Sequence, residues 1–338
     1  MAEDTLGVGF IGVGGQGEEQ VRAFAALPGI RVRAVCDVDA DRAATVAARY
    51  GAARWTTDPG ELAAFDDLQL VCIATPEAHH REPTLACLAA GKHVLLEKPI
   101  STRLDEARVL FEQAERSGCI LAPAHVLRFH PAYALLKERI AAGQLGKVVS
   151  IAAGRNQPRA RAARFHREHS FLEVLVHDID LAIWYTGDQP ERVYAIERKV
   201  LHAGPADAVW GMIQFAGGAV ATLECHWLWP AGRRSYVESS LRVVGTEETA
   251  RIVDPSSALE FTNDQGSEVP DTTLWPSVHG VAAGALVNQA AAVVRCIRAG
   301  EPFTIVTPPE VLLGLRTALA LIRSAHEGRE VFLTEVEA

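Results

Sequence analysis

Lys98, Glu173 and His177 are the residues whose types could steady a charge and move a proton. Glu97-Lys98-Pro99 closes the apolar run His93-Val-Leu-Leu. Proline biases Lys98 towards extended backbone and admits a cis bond. The lysine therefore stands at the end of a strand. There its ammonium would stabilise a developing alkoxide or hold a substrate hydroxyl. Without other context, a lysine so placed is more often a solvated strand end.

Ser170-Phe-Leu-Glu173-Val-Leu-Val-His177-Asp178-Ile-Asp180 opens a helical pattern that runs over 171–185. Leu172, Leu175, Val176, Ile179 and Ile183 make its apolar face. A spacing of four places Glu173 and His177 on one side of a continuous helix, with Asp180 one step along. An acid, an imidazole and a second acid suit proton transfer, because histidine titrates near neutral pH. The blander reading stands equally: Ser170-x-x-Glu173 spells a capping box, and His177 a hydrogen-bonded structural histidine. His166, His169 and His177 with Glu168 and Asp178 fit no standard ligand spacing, and no cysteine joins them, so no metal is expected. There is no nucleophile elbow and no P-loop.

These residues need a frame, and the first stretch supplies it. Leu6 to Ile11 reads as a buried parallel strand and runs into Gly12-x-Gly14-x-x-Gly17, with Gly15 and Gln16 in the turn. An amphipathic segment, 18–27, follows. Gly12 allows the tight turn, Gly14 lets backbone approach a pyrophosphate, and Gly17 lets the helix close on the strand. The helix start offers amides and partial positive charge to phosphate. The next strand, 30–36, ends in Asp37, twenty residues after Gly17, where an acid binds adenosine ribose hydroxyls. That points to NAD. NADP is disfavoured, because the Asp37 charge would repel a 2′-phosphate, although Arg42 nearby weakens the argument.

With 338 residues, two domains are expected. Composition is 49% hydrophobic and 22% charged, as in ordinary globular proteins. A net charge of −9 argues against nucleic acid or an anionic membrane as partner. The six scattered cysteines contain no CxxC pair and read as reduced thiols of a cytoplasmic protein. The N-terminus lacks a signal-peptide pattern, and no apolar run reaches the length of a membrane span.

Strands at 6–11, 30–36, 53–56, 69–74, 93–97 and 120–124 alternate with helices at 16–27, 40–50, 59–64, 80–90 and 103–117. A further helix follows Pro131, over 132–142. Alternation of this kind makes a doubly wound parallel sheet, whose ligands sit at the carboxyl ends of its strands. Asp37, Thr75-Pro76, Glu97-Lys98 and His125 fall there. From about residue 147 the pattern turns β-rich, at 147–155, 192–201, 208–215, 219–227 and 236–244, with Gly217-Gly218 as a hairpin turn. That gives an α+β domain with an antiparallel sheet. Further helices are expected at 281–299 and 310–326. The expected division is a dinucleotide-binding domain, 1–124, and a substrate-binding and oligomerisation domain, 125–338.

Together these motifs resemble the glucose-fructose oxidoreductase/inositol dehydrogenase/rhizopine-catabolism (Gfo/Idh/MocA) family. The resemblance rests on Gly12 to Gly17, Cys36-Asp-Val-Asp, Thr75-Pro-Glu-Ala-His-His80, Ala90-Gly-Lys-His-Val-Leu-Leu-Glu-Lys-Pro99, His125-Val-Leu-Arg-Phe-His-Pro131, His177-Asp-Ile-Asp180 and Ala320 to Gly328. It implies a Rossmann domain followed by an open-faced antiparallel sheet that builds a homodimer or homotetramer. By resemblance, Lys98 touches both nicotinamide and substrate, and His177 is the acid/base. Glu173 stands where the family usually has Asp. Thr75, Pro76, His80, Glu97 and His125 line the cofactor, and Arg128 joins Lys98, Glu173 and His177 at the substrate. The chain departs from the family in its Glu173, in His169-Ser170-Phe171 where a Gly-Gly pair is common, and in the turn Gly245-Thr246-Glu247-Glu248. The missing small pair implies a differently shaped pocket.

The implied function is an NAD-dependent dehydrogenase or reductase of a sugar, cyclitol or related polyol. The alternatives are a hydrolase of the same family that oxidises its sugar transiently, and a non-catalytic sensor of cofactor or sugar.

Overall fold

The computed structural model describes residues 5–201, 204–230, 237–255, 259–263 and 266–337. In chain order the first elements are β1 (Leu6–Ile11), α1 (Gly15–Ala25), β2 (Ile30–Cys36), α2 (Ala40–Tyr50), β3 (Arg54–Thr56) and α3 (Pro59–Ala63). They continue as β4 (Leu70–Ile73), α4 (Arg81–Ala89), β5 (His93–Leu96), α5 (Leu104–Ser117) and β6 (Leu121–Pro123). All six strands form one parallel sheet in the order β3-β2-β1-β4-β5-β6. The expected doubly wound sheet is thus present. Its central strands are buried on both faces: every residue of β1 and β4 is buried, as helices on each side of a parallel sheet require. Local chemistry sets the helix ends. Asp39 caps α2 by accepting from the Arg42 amide, and Gly51 closes it in left-handed backbone.

The chain goes on through α6 (Pro131–Ala141), β7 (Val148–Asn156), α7 (Arg159–Phe165), α8 (Ser170–Glu173), α9 (Val176–Thr186), β8 (Pro190–Arg198), β9 (Ala208–Phe215), β10 (Val220–His226), β11 (Glu238–Gly245) and β12 (Thr249–Asp254). Two short hairpins follow, β13 (Phe261–Asn263) with β14 (Gly266–Glu268), and β15 (Ser277–Val278) with β16 (Val281–Ala282). The last elements are α10 (Ala285–Ala299), α11 (Pro308–Glu327) and β17 (Val331–Phe332). The first four residues of the expected 281–299 helix instead hold β16 and the turn into α10. Tyr236, expected to start a strand, lies outside the described residues.

Two compact units divide the chain. One takes in the chain up to His130 together with Leu274–Pro308; the other holds Pro131–Thr273 and the chain from Pro309 onward. Neither matches the uninterrupted division 1–124 and 125–338, because α10 returns to the first unit. It packs on α1 and on the turn Val126–Phe129, and Asn288 donates to the Phe129 carbonyl at 3.1 Å.

In the second unit seven strands lie in the order β12-β11-β7-β10-β9-β8-β17. The sheet is antiparallel at every junction except one: β10 runs parallel to β7. Side chains alternate across it. Val193 and Ala195 of β8 and Ile213 of β9 are buried on the face that carries α8 and α11. There a Cβ on Gly211 would lie 2.9 Å from Phe171 and 3.0 Å from Leu321. Their neighbours Tyr194, Ile196, Trp210 and Met212 stand exposed on the opposite face. Among the described residues no helix is long and apolar enough to cross a membrane. All six cysteines are free thiols.

Candidate active site

The glycine turn behaves as its spacing demands. Gly12 has φ +80°, and a Cβ there would lie 2.7 Å from the Thr75 amide nitrogen. A Cβ on Gly17 would come to 1.9 Å from the Gly12 carbonyl oxygen. Gly12 and Gly17 are therefore required by the protein's own packing. Gly14 is different: a Cβ there would meet nothing within 4 Å. Its smallness serves no contact inside the protein and leaves the backbone open to a ligand. Gly14 is also the N-cap of α1 and supplies no side chain to cap it. The first-turn amides and the positive end of the helix dipole thus border that space, a seat suited to pyrophosphate.

Asp37 follows β2 and is buried to 5% exposure. Its Oδ2 accepts from the Val13 amide at 2.9 Å, and its Oδ1 accepts from the Asp39 amide and from Arg42 Nη1, each at 3.0 Å. Arg42 also donates to Asp39 Oδ2 at 3.0 Å. The cation that could have favoured a 2′-phosphate is therefore engaged by two carboxylates. An oriented acid beside an open glycine turn fits NAD.

Glu97 and Lys98 follow β5. One Glu97 oxygen accepts from Gln16 Nε2 at 3.1 Å and from Gln20 Nε2 at 2.8 Å. These glutamines sit one turn apart on α1, so Glu97 links the glycine turn to the Lys98 strand end. Sequence reading placed Gln16 in the cofactor turn and missed Gln20 altogether. Lys98 is half-buried between the buried Glu97 and Pro99, and the Lys98–Pro99 bond is cis. His80 is buried to 1%, with Nδ1 at 2.9 Å from the Pro99 carbonyl and Nε2 at 3.0 Å from the Thr75 carbonyl. It therefore ties the loop after β4 to the loop after β5 from the inside. Burial, the largest influence, lowers its pKa despite both carbonyls. Thr75 is half-buried and donates its hydroxyl to the His79 carbonyl at 3.1 Å, while Pro76 is exposed. His125 and Arg128 are buried, and Arg128 Nη1 donates to the Ile305 carbonyl at 2.8 Å. Arg128 thereby ties its turn to the returning 274–308 segment of the first unit.

Glu173 and His177 belong to the second unit, and the helix expected to carry both is broken. The amides of Val174 and Leu175 both donate to the Ser170 carbonyl, at 3.0 and 2.8 Å, and α9 starts afresh at Val176. The single helix expected over 171–185 is thus interrupted between Glu173 and His177. The expected capping box fails too. His169, not Ser170, is the N-cap, its Nδ1 accepting from the Phe171 amide at 3.3 Å. Ser170 Oγ accepts instead from Trp227 Nε1 at 3.1 Å. Glu173 is buried, and its Oε2 accepts from the Arg167 amide at 3.2 Å. His177 is the one residue from Ser170 to Ile183 that is not buried. Asp180 is buried to 3% and lies three residues after His177 within α9.

Arg155, which sequence reading overlooked, holds this segment. Its Nε and Nη2 donate to Asp178 at 2.8 and 3.0 Å, and both side chains are buried. Burial, the largest single influence, works against the charged guanidinium, but Asp178 and Tyr133 together outweigh it and raise the pKa further. The alternation Ile151, Ala153, Arg155 along β7 places an arginine on the buried face, and this was the available signal.

Comparison with known proteins agrees with this geometry. Residues 6–125 match the GFO_IDH_MocA description "Oxidoreductase family, NAD-binding Rossmann fold", and 133–251 match the GFO/IDH/MocA C-terminal domain. An inositol 2-dehydrogenase of Rubrobacter xylanophilus is 30% identical over 76% of this chain and 74% of its own. The chain belongs to the GFO/IDH/MocA oxidoreductase family. A 1,5-anhydro-D-fructose reductase of Ensifer adhaerens is 27% identical over 95% of this chain and 96% of its own. The crystal structure of GenD2 from gentamicin A biosynthesis, in complex with NAD, superposes with a TM-score of 0.85. It is 27% identical and covers 97% of this chain and 96% of its own. The family membership makes the protein an oxidoreductase with NAD as its cofactor.

Proposed function

We propose that the protein is an NAD-dependent dehydrogenase or reductase acting at a secondary hydroxyl of a sugar, cyclitol or related polyol. The carrying observation is the half-open setting of Lys98 and of His177, each within a buried stretch of its own unit. When bound, NAD supplies the hydride acceptor. Gly12, Gly14, Gly15, Gln16 and Gly17 seat its pyrophosphate, and Asp37 holds the adenosine ribose. Thr75, Pro76, Glu97 and His125 border it, with His80 holding its two loops from inside. Lys98 bonds the substrate oxygen and stabilises the charge that develops as its proton leaves. His177 takes that proton. Glu173, kept in place by Arg167, bonds a neighbouring hydroxyl or orients His177. In the other direction the same groups protonate a ketone as it is reduced. Relatives named for a cyclitol and for an anhydro-sugar support this substrate class. The test is a panel of cyclitols, sugars and keto-sugars, read by the near-ultraviolet absorbance of reduced nicotinamide. NAD binding without turnover on any of them would overturn the dehydrogenase reading in favour of a transient-oxidation hydrolase or a sensor.

The free thiols support the cytoplasm as its compartment. We also assign the open sheet face to a second copy of the chain, as homodimer or homotetramer. Tyr194 pairs across with Met212 and Ile196 with Trp210, so four exposed apolar side chains form one patch. Light scattering of a Trp210→Glu, Met212→Glu variant should give a monomer; an unchanged oligomer would place the interface elsewhere.

A further inference from the structure

His169, Glu197 and His326 are distant in sequence but converge in the second unit. One ligand atom from each lies within 4.8 Å of the other two. His169 Nε2 is 3.0 Å from Glu197 Oε2, and His326 Nε2 is 3.8 Å from the same oxygen. We infer that these three side chains form a binding site for a transition-metal dication of the zinc type. It would tie the start of α8 and the end of α11 to β8.

Two of the three ligands are already held. His169 is nearly buried and stacks on Phe171, with ring centroids 5.2 Å apart. Glu197 lies on the helix-covered face of β8, in alternation with Val193 and Ala195. His326 is in the last turn of α11 with its side chain 60% exposed, so it can adjust. Tetrahedral zinc with bonds of about 2.0–2.1 Å sets its ligand atoms about 3.3 Å apart. The 3.0 Å pair is already near that spacing, and His326 needs to close by about half an ångström on Glu197 and by up to about 1.5 Å on His169. Two imidazoles and one carboxylate select zinc, cobalt or nickel. Magnesium and calcium prefer sets made of oxygen. Three protein ligands leave a fourth position for water.

Binding replaces two hydrogen bonds of His169, those with Glu197 and with the Phe171 amide. With Nδ1 of His169 accepting from the Phe171 amide, the neutral ring carries its proton on Nε2 and donates it to Glu197. Coordination through Nε2 moves that proton to Nδ1 and gives up the 3.3 Å bond to Phe171. Nothing in the spacing of 166–178 reveals the site, because two of its ligands lie on β8 and α11.

The test uses the full chain after chelator treatment, titrated with zinc chloride by calorimetry and with cobalt chloride by visible absorption. The wild type should bind one ion, show the cobalt bands of a nitrogen- and oxygen-ligated site, and melt at higher temperature with zinc. His326→Ala, at an exposed position, should fold normally and lose all three effects, and Glu197→Gln should lose them too. Absence of zinc binding by the wild type overturns the inference. So does binding that His326→Ala leaves unchanged, which would put the ion on other side chains.

Discussion

Replacing Gly14 by alanine separates the needs of the fold from those of the cofactor. The residue has φ −65° and ψ −166°, extended backbone open to any L-residue. A Cβ there meets nothing within 4 Å. The apo protein should therefore keep its stability to within about 1 kcal/mol, the stiffer unfolded chain offsetting the poorer N-cap that alanine makes. The added methyl occupies the space the pyrophosphate needs, an overpacking cost of about 1–3 kcal/mol. NAD binding should weaken by about 5- to 150-fold. Gly17→Ala is the control. Its Cβ would lie 1.9 Å from the Gly12 oxygen, so that variant should lose stability and binding together. Thermal melts of the apo proteins and calorimetric titration with NAD measure both quantities. A Gly14→Ala variant that binds NAD as tightly as the wild type would refute the placing of the pyrophosphate.

Arg155→Met leaves Asp178 as an uncompensated buried charge. It should cost about 3–5 kcal/mol, or about 6–20 °C in the melting midpoint of a unit this size, read by calorimetry; an unchanged midpoint would deny the pair its structural role. Acid should destabilise the protein through His80, His93 and His226, whose pKa values burial lowers from an ordinary 6.5. Below that value the unfolded chain binds more protons than the folded one, so stability rises with pH. The contribution is present above about pH 6.5 and is lost as pH falls through the folded-state values. Melts across this range should decline towards acid, and His80→Asn should flatten the slope; a midpoint that rises on acidification would contradict the sign.

The first unit was legible because its signals are local. An apolar run, three spaced glycines and an acid at the next strand's end lie within residues 6–37, and hydrogen bonds there confirm the turn and the orientation of Asp37. The second unit depends on contacts between distant residues. The apolar periodicity of 172–183 continues through the break at Val174 and Leu175, so composition could not show it. The break comes from two amides sharing the Ser170 carbonyl and from a histidine cap. The return of α10 to the first unit is also long-range: Arg298 reaches the Gly29 carbonyl at 3.0 Å across 269 residues. The parallel pairing of β10 with β7 likewise has no local sign. Lys98, His177 and His80 were visible from motif resemblance, whereas Gln20, Arg155 and the part His80 plays in tying two loops emerge from the packing.

The most direct test of the whole account is hydride transfer by wild type, Lys98→Ala and His177→Ala on a polyol the wild type oxidises, with NAD affinity measured in parallel. The account predicts that His177→Ala lowers kcat by about 10²- to 10⁴-fold. It also predicts a loss of about 10²- to 10³-fold in Lys98→Ala. NAD affinity in His177→Ala should stay at the wild-type value. Turnover that survives both substitutions would contradict the assignment of the proton and the alkoxide to these two side chains.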